Sequence, residues 1–274
     1  MSGAIVRANP VAEPFLRWAG SKRQQLPKLM SKWLPGRRYV EPFMGSACLY
    51  FALSPEMAVL GDMNSDLIET FICIRDRPQE VYDHTVAIPN NKETYYAWRL
   101  KSPKALNSVQ RAARFLYLNR YCFNGLYRTN LRGQFNVPYA PNKTGSLLPW
   151  ESFQKCSKML ARATLRCADF EQLICEEVEP NDFIYLDPPF AVGNRRIFRQ
   201  YGPDTFGLLD LERLAQLLVG IDYVGAKFVL SYADSPEVRT LFSEWSIAHT
   251  YVQRNIAGFS RHRRKTRELI ISNF

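Results

Sequence analysis

The chain has 274 residues, 46% of them hydrophobic and 23% charged, and its 36 Lys and Arg outnumber 26 Asp and Glu for a formal net charge of +10. This is the composition of a soluble globular protein, and no window approaches the ~20 apolar residues of a bilayer span, which excludes a membrane-crossing helix. The positive balance favours a polyanionic partner through counterion release.

The start, MSGAIVRANPVAEPF, lacks the apolar stretch of a secretory signal. Cys48, Cys73, Cys122, Cys156, Cys167 and Cys175 form no CxxC pair, and His84, His249 and His262 are scattered. Neither a disulfide frame nor a metal site is indicated, and a reducing cytoplasm is the expected compartment.

In chain order, SKRQQLPKLMSKWL at 21–34 predicts a helix after a capping serine. RRYVEPF predicts a short strand, MGSACLYFAL a turn into a helix, AVLGDMN a second strand ending at an acid, and SDLIETFICIRD a helix with a serine cap. Such alternation belongs to a parallel α/β sheet. From about 75 to 160 the rhythm breaks: KETYYAWRLK and SVQRAARFLYLNRY predict helices, and LYRTNLRGQFNVPY predicts a β-hairpin turning at Arg132-Gly133. This stretch reads as an inserted domain. ATLRCAD, FEQLICEE and DFIYLDPPF resume the α/β order, followed by a helix over LLDLERLAQLLVG, a strand over KFVLSYAD, a helix from Ser-Pro, and an antiparallel pair over SIAHTYVQRN and TRELIISNF.

Open α/β sheets bind ligands beyond the carboxyl ends of their strands, so those ends are where chemistry is sought. At the first, Glu41 and Pro42 precede a turn with Gly45, whose following helix presents its N-terminus. At the second, Asp62 stands where a carboxylate accepts from two vicinal ribose hydroxyls, although an acid there also suits a turn before the next helix. The third is FIYLDPPF at 183–190. Asp187 supplies an acceptor, Pro188 and Pro189 hold the backbone extended so that the Pro188 carbonyl stays out of a helix, and Phe190 supplies a flat face. Two acceptors beside an aromatic plate suit an exocyclic amino group on a flat heterocycle.

FLRWAGSK at 15–22, YVEPFMGSA at 39–47, GDMNSDLI at 61–68, FLYLNRYCFNGLYRTNLRGQFNVPY at 115–139 and DPPF at 187–190 resemble, in the same order, the motifs of the Dam family of DNA adenine N6-methyltransferases. The resemblance implies a Rossmann-like S-adenosylmethionine (SAM)-dependent methyltransferase sheet at 1–72 and 160–274. It further implies an inserted, mainly helical DNA-recognition domain with a β-hairpin at 73–159. Double-stranded DNA is the implied partner, SAM the cofactor with S-adenosylhomocysteine as product, and no metal is required. By match to the motifs, Trp18, Gly20, Lys22, Glu41, Pro42, Phe43, Gly45, Asp62 and Asp187 surround the cofactor, Asp169 and Phe170 hold its adenine, and Asp187, Pro188, Pro189 and Phe190 grip the target base. Arg17, Phe123, Asn124, Leu126, Arg128, Asn130, Arg132, Asn136 and Pro138 match DNA-contacting positions.

Four departures stand out: Ser21 and Ala47 replace family glycines, Phe190 replaces a tyrosine, and Asn142 and Lys143 fall where GATC-specific members carry an arginine and an aromatic. Two further basic clusters, Arg195, Arg196 and Arg199, and Arg261, Arg263, Arg264, Lys265 and Arg267, suit a loop over DNA or a phosphate-contacting turn, and equally a solvated or partner-binding surface. The rival readings are a cytosine-N4 methyltransferase, which Asp187 disfavours, and a catalytically silent binding subunit. No cysteine follows a proline, which disfavours C5-cytosine chemistry.

Overall fold

The computed structural model describes residues 9–130, 132–140, 146–190, 206–253 and 265–274. Strands β1 (Tyr39–Glu41), β2 (Ala58–Asp62), β3 (Ala163–Cys167), β4 (Phe183–Leu186) and β5 (Lys227–Ala233) lie parallel, and β6 (Ser246–Gln253) and β7 (Lys265–Ser272) add an antiparallel pair. The sheet order is β3-β2-β1-β4-β5-β7-β6. Every residue of β1 and β4 is buried, as expected of central parallel strands covered by helices on both faces. Val40 pairs with Val59 on one side and Ile184 on the other, so the chain order reverses at β1 and β4.

Most predicted elements are present, with informative shifts. The helix expected over 21–34 is a 3-10 turn at Arg23–Gln25 followed by α1 (Leu26–Met30). Pro27 explains the late start: its ring clashes with a carbonyl one turn back and is tolerated only in a first turn. Ser21 makes no capping bond there. After α2 (Cys48–Leu53), α3 (Ser65–Asp76) is capped not by the expected serine but by Asn64, whose side chain accepts from the Leu67 N–H at 3.1 Å. Two helices had not been expected: α4 (Pro78–Val86) and α7 (Trp150–Leu160).

Between α4 and α7 lie α5 (Lys92–Leu100) and α6 (Ser108–Tyr121), then a turn at Phe123–Gly125 and a hairpin-like excursion bridged at Cys122–Tyr139 and Thr129–Phe135. Helix α6 is a shared wall. Its Phe115 and Leu116 pack into the core beneath the sheet, while Tyr117 and Leu118 pack with Tyr95, Cys122 and Val137 in a separate apolar cluster. The sheet-side core centres on Phe15, whose ring lies 4.7 Å from Phe71 and 5.8 Å from both Phe51 and Phe153. The opposite face is covered by α8 (Phe170–Glu177) and α9 (Leu208–Tyr223), which bury Leu173, Leu211, Leu214 and Leu218. Ser235 caps α10 (Pro236–Leu241) as its Ser-Pro start predicts.

Arginines also gather with aromatic residues over 111–132, and several of them serve the fold. Arg114 is buried and donates to the Trp98 and Arg99 carbonyls at 2.8 and 2.9 Å, at the C-terminal end of α5 where a cation is favoured. Arg111 pairs with Glu69 at 3.2 Å, and Arg120 is buried and donates to the Ser146 carbonyl.

Asn119, also buried, clips the N-terminal segment to this wall. Its Oδ1 accepts from the Arg17 N–H at 2.9 Å, and its Nδ2 donates to the Arg17 carbonyl at 2.7 Å. Asn119→Ala removes both partners from the Arg17 main chain and is expected to cost about 2–4 kcal/mol, since each unpaired buried polar group costs ~1–3 kcal/mol. Denaturant titration checks this; an unchanged midpoint refutes it.

Candidate active site

The reversal of chain order places the ends of β1 and β4 side by side, and each ends in a carboxylate. Glu41 is buried and accepts from the Tyr39 hydroxyl at 3.0 Å. Burial pushes its carboxyl well above the usual carboxylate range; the Tyr39 bond opposes this, and the charges of Asp187 and Asp62 reinforce it. Asp187 follows β4 directly, and burial raises its carboxyl too, against the pull of Lys22.

Among the described residues, Lys22 brings a cation to this cluster. Its buried Nζ lies 2.7 Å from Asp187 Oδ1, donates to the Gly20 carbonyl at 3.3 Å, and lies 3.8 Å from Glu268 Oε2 on β7. It also sits 5.1 Å from the centroid of the Phe190 ring, a cation–π contact. Phe190 is held edge-on by Tyr232, with centroids 5.2 Å apart at 78°. Gln25, from the turn that carries Lys22, donates to Glu268 at 2.6 Å. Gln25 and Glu268 were not anticipated from the sequence. The signal was an acid opening the apolar run ELIIS in a strand, where burial of a lone carboxylate demands a partner.

The loop after β1 is fastened to the tip of β2. Asp62 accepts from the Gly45 N–H at 3.1 Å and from the Asn64 N–H at 2.9 Å. Burial nevertheless pushes its carboxyl up to about 6, with those two bonds acting in the opposite direction. Gly45 has φ +46°, and a Cβ there would stand 2.6 Å from Trp18 Cδ1, so glycine is required both by conformation and by the approach of the indole. Trp18 stacks on Tyr127 at 5.6 Å and 22°. Ala47, at a family glycine position, also adopts a left-handed conformation, φ +51°.

Asp169 and Phe170 lie at the start of α8, beyond β3. The Asp169 carboxylate accepts from the Glu171 N–H at 2.9 Å and pairs with Arg213 at 2.8 Å. The Arg213 guanidinium lies 4.8 Å from the Phe170 centroid, and Phe170 packs against Phe43 at 5.2 Å. Arg213 had not been singled out from the sequence. Pro42 lies between Glu41 and this aromatic group, and Pro188 and Pro189 carry the chain from Asp187 to Phe190.

The hairpin collects the remaining candidates. Asn124 is exposed at a left-handed turn position, φ +56°, and Gly125 packs against Arg17 so closely that a Cβ would meet the Arg17 Cβ at 2.4 Å. Phe123 donates its N–H to the Pro138 carbonyl at 2.9 Å, and Leu126 is half-buried. Arg128 donates to Asn136 Oδ1 at 2.7 Å, while Asn130 Oδ1 accepts from the Arg132 and Gln134 N–H groups, both at 3.0 Å. Asn130 and Asn136 thus build the hairpin, whereas Arg132 is exposed at its tip. Arg195, Arg196, Arg199, Arg261, Arg263 and Arg264 lie outside the described residues, as do Asn142 and Lys143. Arg267, expected in a phosphate-contacting turn, pairs with Asp234, which Arg239 also holds at 2.6 Å.

A doubly wound sheet with carboxylates at the tips of β1, β2 and β4 and an aromatic plate beside the last has the layout of a nucleotide-dependent transferase. Residues 18–256 match the D12 class N6 adenine-specific DNA methyltransferase family, and the chain belongs to that family. It is 32% identical over 273 residues to the type II methyltransferase M1.LlaDCHI of Lactococcus lactis subsp. cremoris, covering 95% of each chain. It is 30% identical to the DNA adenine methylase of Haemophilus influenzae, covering 94% of this chain and 92% of that one. Among solved structures, a precorrin 8W decarboxylase from Methanobacterium thermoautotrophicum aligns over 93% of this chain and 92% of its own, with TM-score 0.41 and 10% identity, a likeness that carries no argument here.

Proposed function

We propose that the protein transfers a methyl group from SAM to N6 of an adenine flipped out of duplex DNA, with residues 1–72 and 160–274 forming the catalytic unit and 73–159 the recognition insert. The observation that carries this reading is the Asp187–Lys22 pair at 2.7 Å beside the Phe190 ring, at the tip of β4. No helix among the described residues is long and apolar enough to cross a membrane. The setting proposed is the cytoplasm, in association with DNA.

The site suits SAM on chemical grounds. Glu41, Asp62 and Asp187 gather at neighbouring strand tips close enough for the charges of Asp62 and Asp187 to act on Glu41, an acidic cluster that would complement a sulfonium cation, with Asp62 proposed to receive the ribose hydroxyls. Gly45 lets Trp18 close on the loop. Trp18, Gly20, Lys22, Pro42 and Phe43 line the approach, with Asp169 and Phe170 toward the adenine end. When bound, SAM supplies a methyl group already activated for attack by a neutral amine.

The chain's own residues position the acceptor. Phe190 stacks on the extruded base, and Asp187 and the Pro188 carbonyl accept the two N6 hydrogens, aiming the nitrogen lone pair at the methyl carbon. With SAM held there, N6 would take the methyl group, S-adenosylhomocysteine would leave with the sulfur electron pair, and the proton shed by N6 would pass to solvent. Positioning supplies most of the acceleration, since no covalent enzyme intermediate is needed. Phe190 contributes stacking alone. Arg17, Phe123, Asn124, Leu126, Arg128, Arg132 and Pro138 are proposed to face the duplex, with Asn130 and Asn136 holding the hairpin that presents them.

Labelled methyl transfer from SAM to unmethylated duplex DNA tests the reading. Incorporation should appear as N6-methyladenine and fall at least ~100-fold in Asp187→Ala, within the range expected when a positioned acceptor is lost. Methylcytosine instead, or no incorporation despite DNA binding, refutes it.

The raised carboxyl of Asp62 sets a pH signature. The folded chain takes up this proton at about 6, above the ordinary 3.8, so acidification through 6 favours the fold through this group while removing the charged acceptor. SAM affinity measured by calorimetry is expected to fall as pH drops through about 6, without a parallel loss of unfolding temperature. Asp62→Asn should bind weakly at all pH values and lack that step.

Arg132 at the hairpin tip is assigned a phosphate contact. Arg132→Ala should weaken DNA binding across sequences and reduce the slope of log affinity against log salt by roughly 1, with the unfolding temperature unchanged. An unaltered slope removes the assignment.

A further inference from the structure

Lys22 occupies both halves of the proposed base clamp. Its ammonium holds Asp187 Oδ1 at 2.7 Å and lies 5.1 Å from the centre of the Phe190 ring. A base entering this clamp uses that carboxylate for N6 and that ring for stacking, so it competes with the ammonium for both. Withdrawal of a buried cation without a second counter-ion is prohibitive, because a charge taken from its partner in a poorly solvated site keeps its desolvation cost.

Glu268 is a second carboxylate within reach of Lys22 among the described residues. Its buried Oε2 stands 3.8 Å from Lys22 Nζ, close enough for attraction and too far for a hydrogen bond at its present position. It is anchored on β7, where Glu268 pairs with Ala233 of β5 and Thr250 of β6, and it accepts from Gln25 Nε2 at 2.6 Å. Gln25 comes from the same short turn that carries Lys22, so the receiving carboxylate and the moving ammonium are registered to one another. The Gln25 Oε1 is buried and has no hydrogen-bond partner among the described residues, leaving an acceptor in reserve within this network.

Resting on the reading above, we infer that Glu268 is a positioning residue that receives the Lys22 ammonium when the target adenine takes over Asp187 and Phe190. Lys22 thereby plugs the clamp in the free protein and is parked against Glu268 in the productive complex. No bond is made or broken in this step; an ion pair exchanges one carboxylate for another, and total charge is unchanged. The group acts through Lys22 and does not touch the reacting atoms.

The test is single-turnover methyl transfer to duplex DNA by wild type, Glu268→Gln and Glu268→Asp, together with KM for DNA, SAM affinity and thermal unfolding. Glu268→Gln keeps an acceptor for Gln25 but removes the charge, so its turnover constant is expected to fall about 10- to 100-fold, with KM for DNA and SAM affinity within about threefold of wild type. Glu268→Asp, which restores the charge, should recover at least half of the logarithmic loss. A Glu268→Gln turnover within twofold of wild type overturns the inference while leaving the methyltransferase reading intact. So does a loss matched by equal losses in affinity and unfolding temperature, or failure of both variants to fold, either of which makes Glu268 merely structural. An inactive wild type overturns the inference and the functional reading together.

Discussion

Val40 has Val59 on one flank and Ile184 on the other, and much of the site's geometry follows from that double pairing. Because β1 is the strand at which the chain order reverses, the connections leaving β1 and β4 depart to opposite sides and leave a crevice between them. Glu41 and Asp187 stand at its lip, and β2 brings Asp62 alongside. No single local segment carries such a cluster. It arises because β4, more than a hundred residues beyond β1 and β2 in the chain, pairs beside β1, although each strand's local requirement is only to be short, apolar and buried.

The crevice is electrostatically unfavourable by construction. Glu41, Asp62 and Asp187 are all driven toward their neutral forms by burial. Local bonds offset part of this cost: Tyr39 on Glu41, the Gly45 and Asn64 amides on Asp62, Lys22 on Asp187. The remainder is a reservoir that a cationic ligand relieves. Sites organised for a ligand or transition state commonly sacrifice stability in this way, and here the sacrifice is a concentration of three carboxyl groups of which one, Asp187, is paired with Lys22.

The fold class and the strand tips were legible because they depend on local pattern. Apolar runs ending in Glu41, Asp62 and Asp187 mark strands pointing at a common edge, and the glycine at 45 marks the turn. Helix ends were less legible: Asn64 competes with Ser65 as a cap, and Pro27 truncates an otherwise periodic stretch, choices settled by backbone geometry. The amphipathic helix α7 lay hidden between a proline-marked loop and a strand. Least legible were the long-range partners. Lys22 with Glu268, and Asp169 with Arg213, are separated by 246 and 44 positions, and no periodicity links them. Arg114 and Arg120 of α6 show the opposite case, since they belong to a basic, aromatic-rich stretch of sequence but lie buried against backbone carbonyls.

The stretch from Phe15 to Lys22 joins what the sheet alone would leave apart. Phe15 lies in the sheet-side core, Arg17 is tied through its main chain to Asn119 of α6, Trp18 seats on Gly45 and Tyr127, and Lys22 reaches Asp187. Within eight residues the chain therefore touches the core, the hairpin's base, the loop after β1 and Asp187 at the tip of β4. A displacement of the hairpin at Gly125 presses on Arg17, and with it on the segment that places both Trp18 and Lys22. Packed interiors transmit such strain because they have few voids to absorb it. The base of the hairpin and the Lys22–Asp187 pair are thus joined through one short segment that is itself anchored in the core.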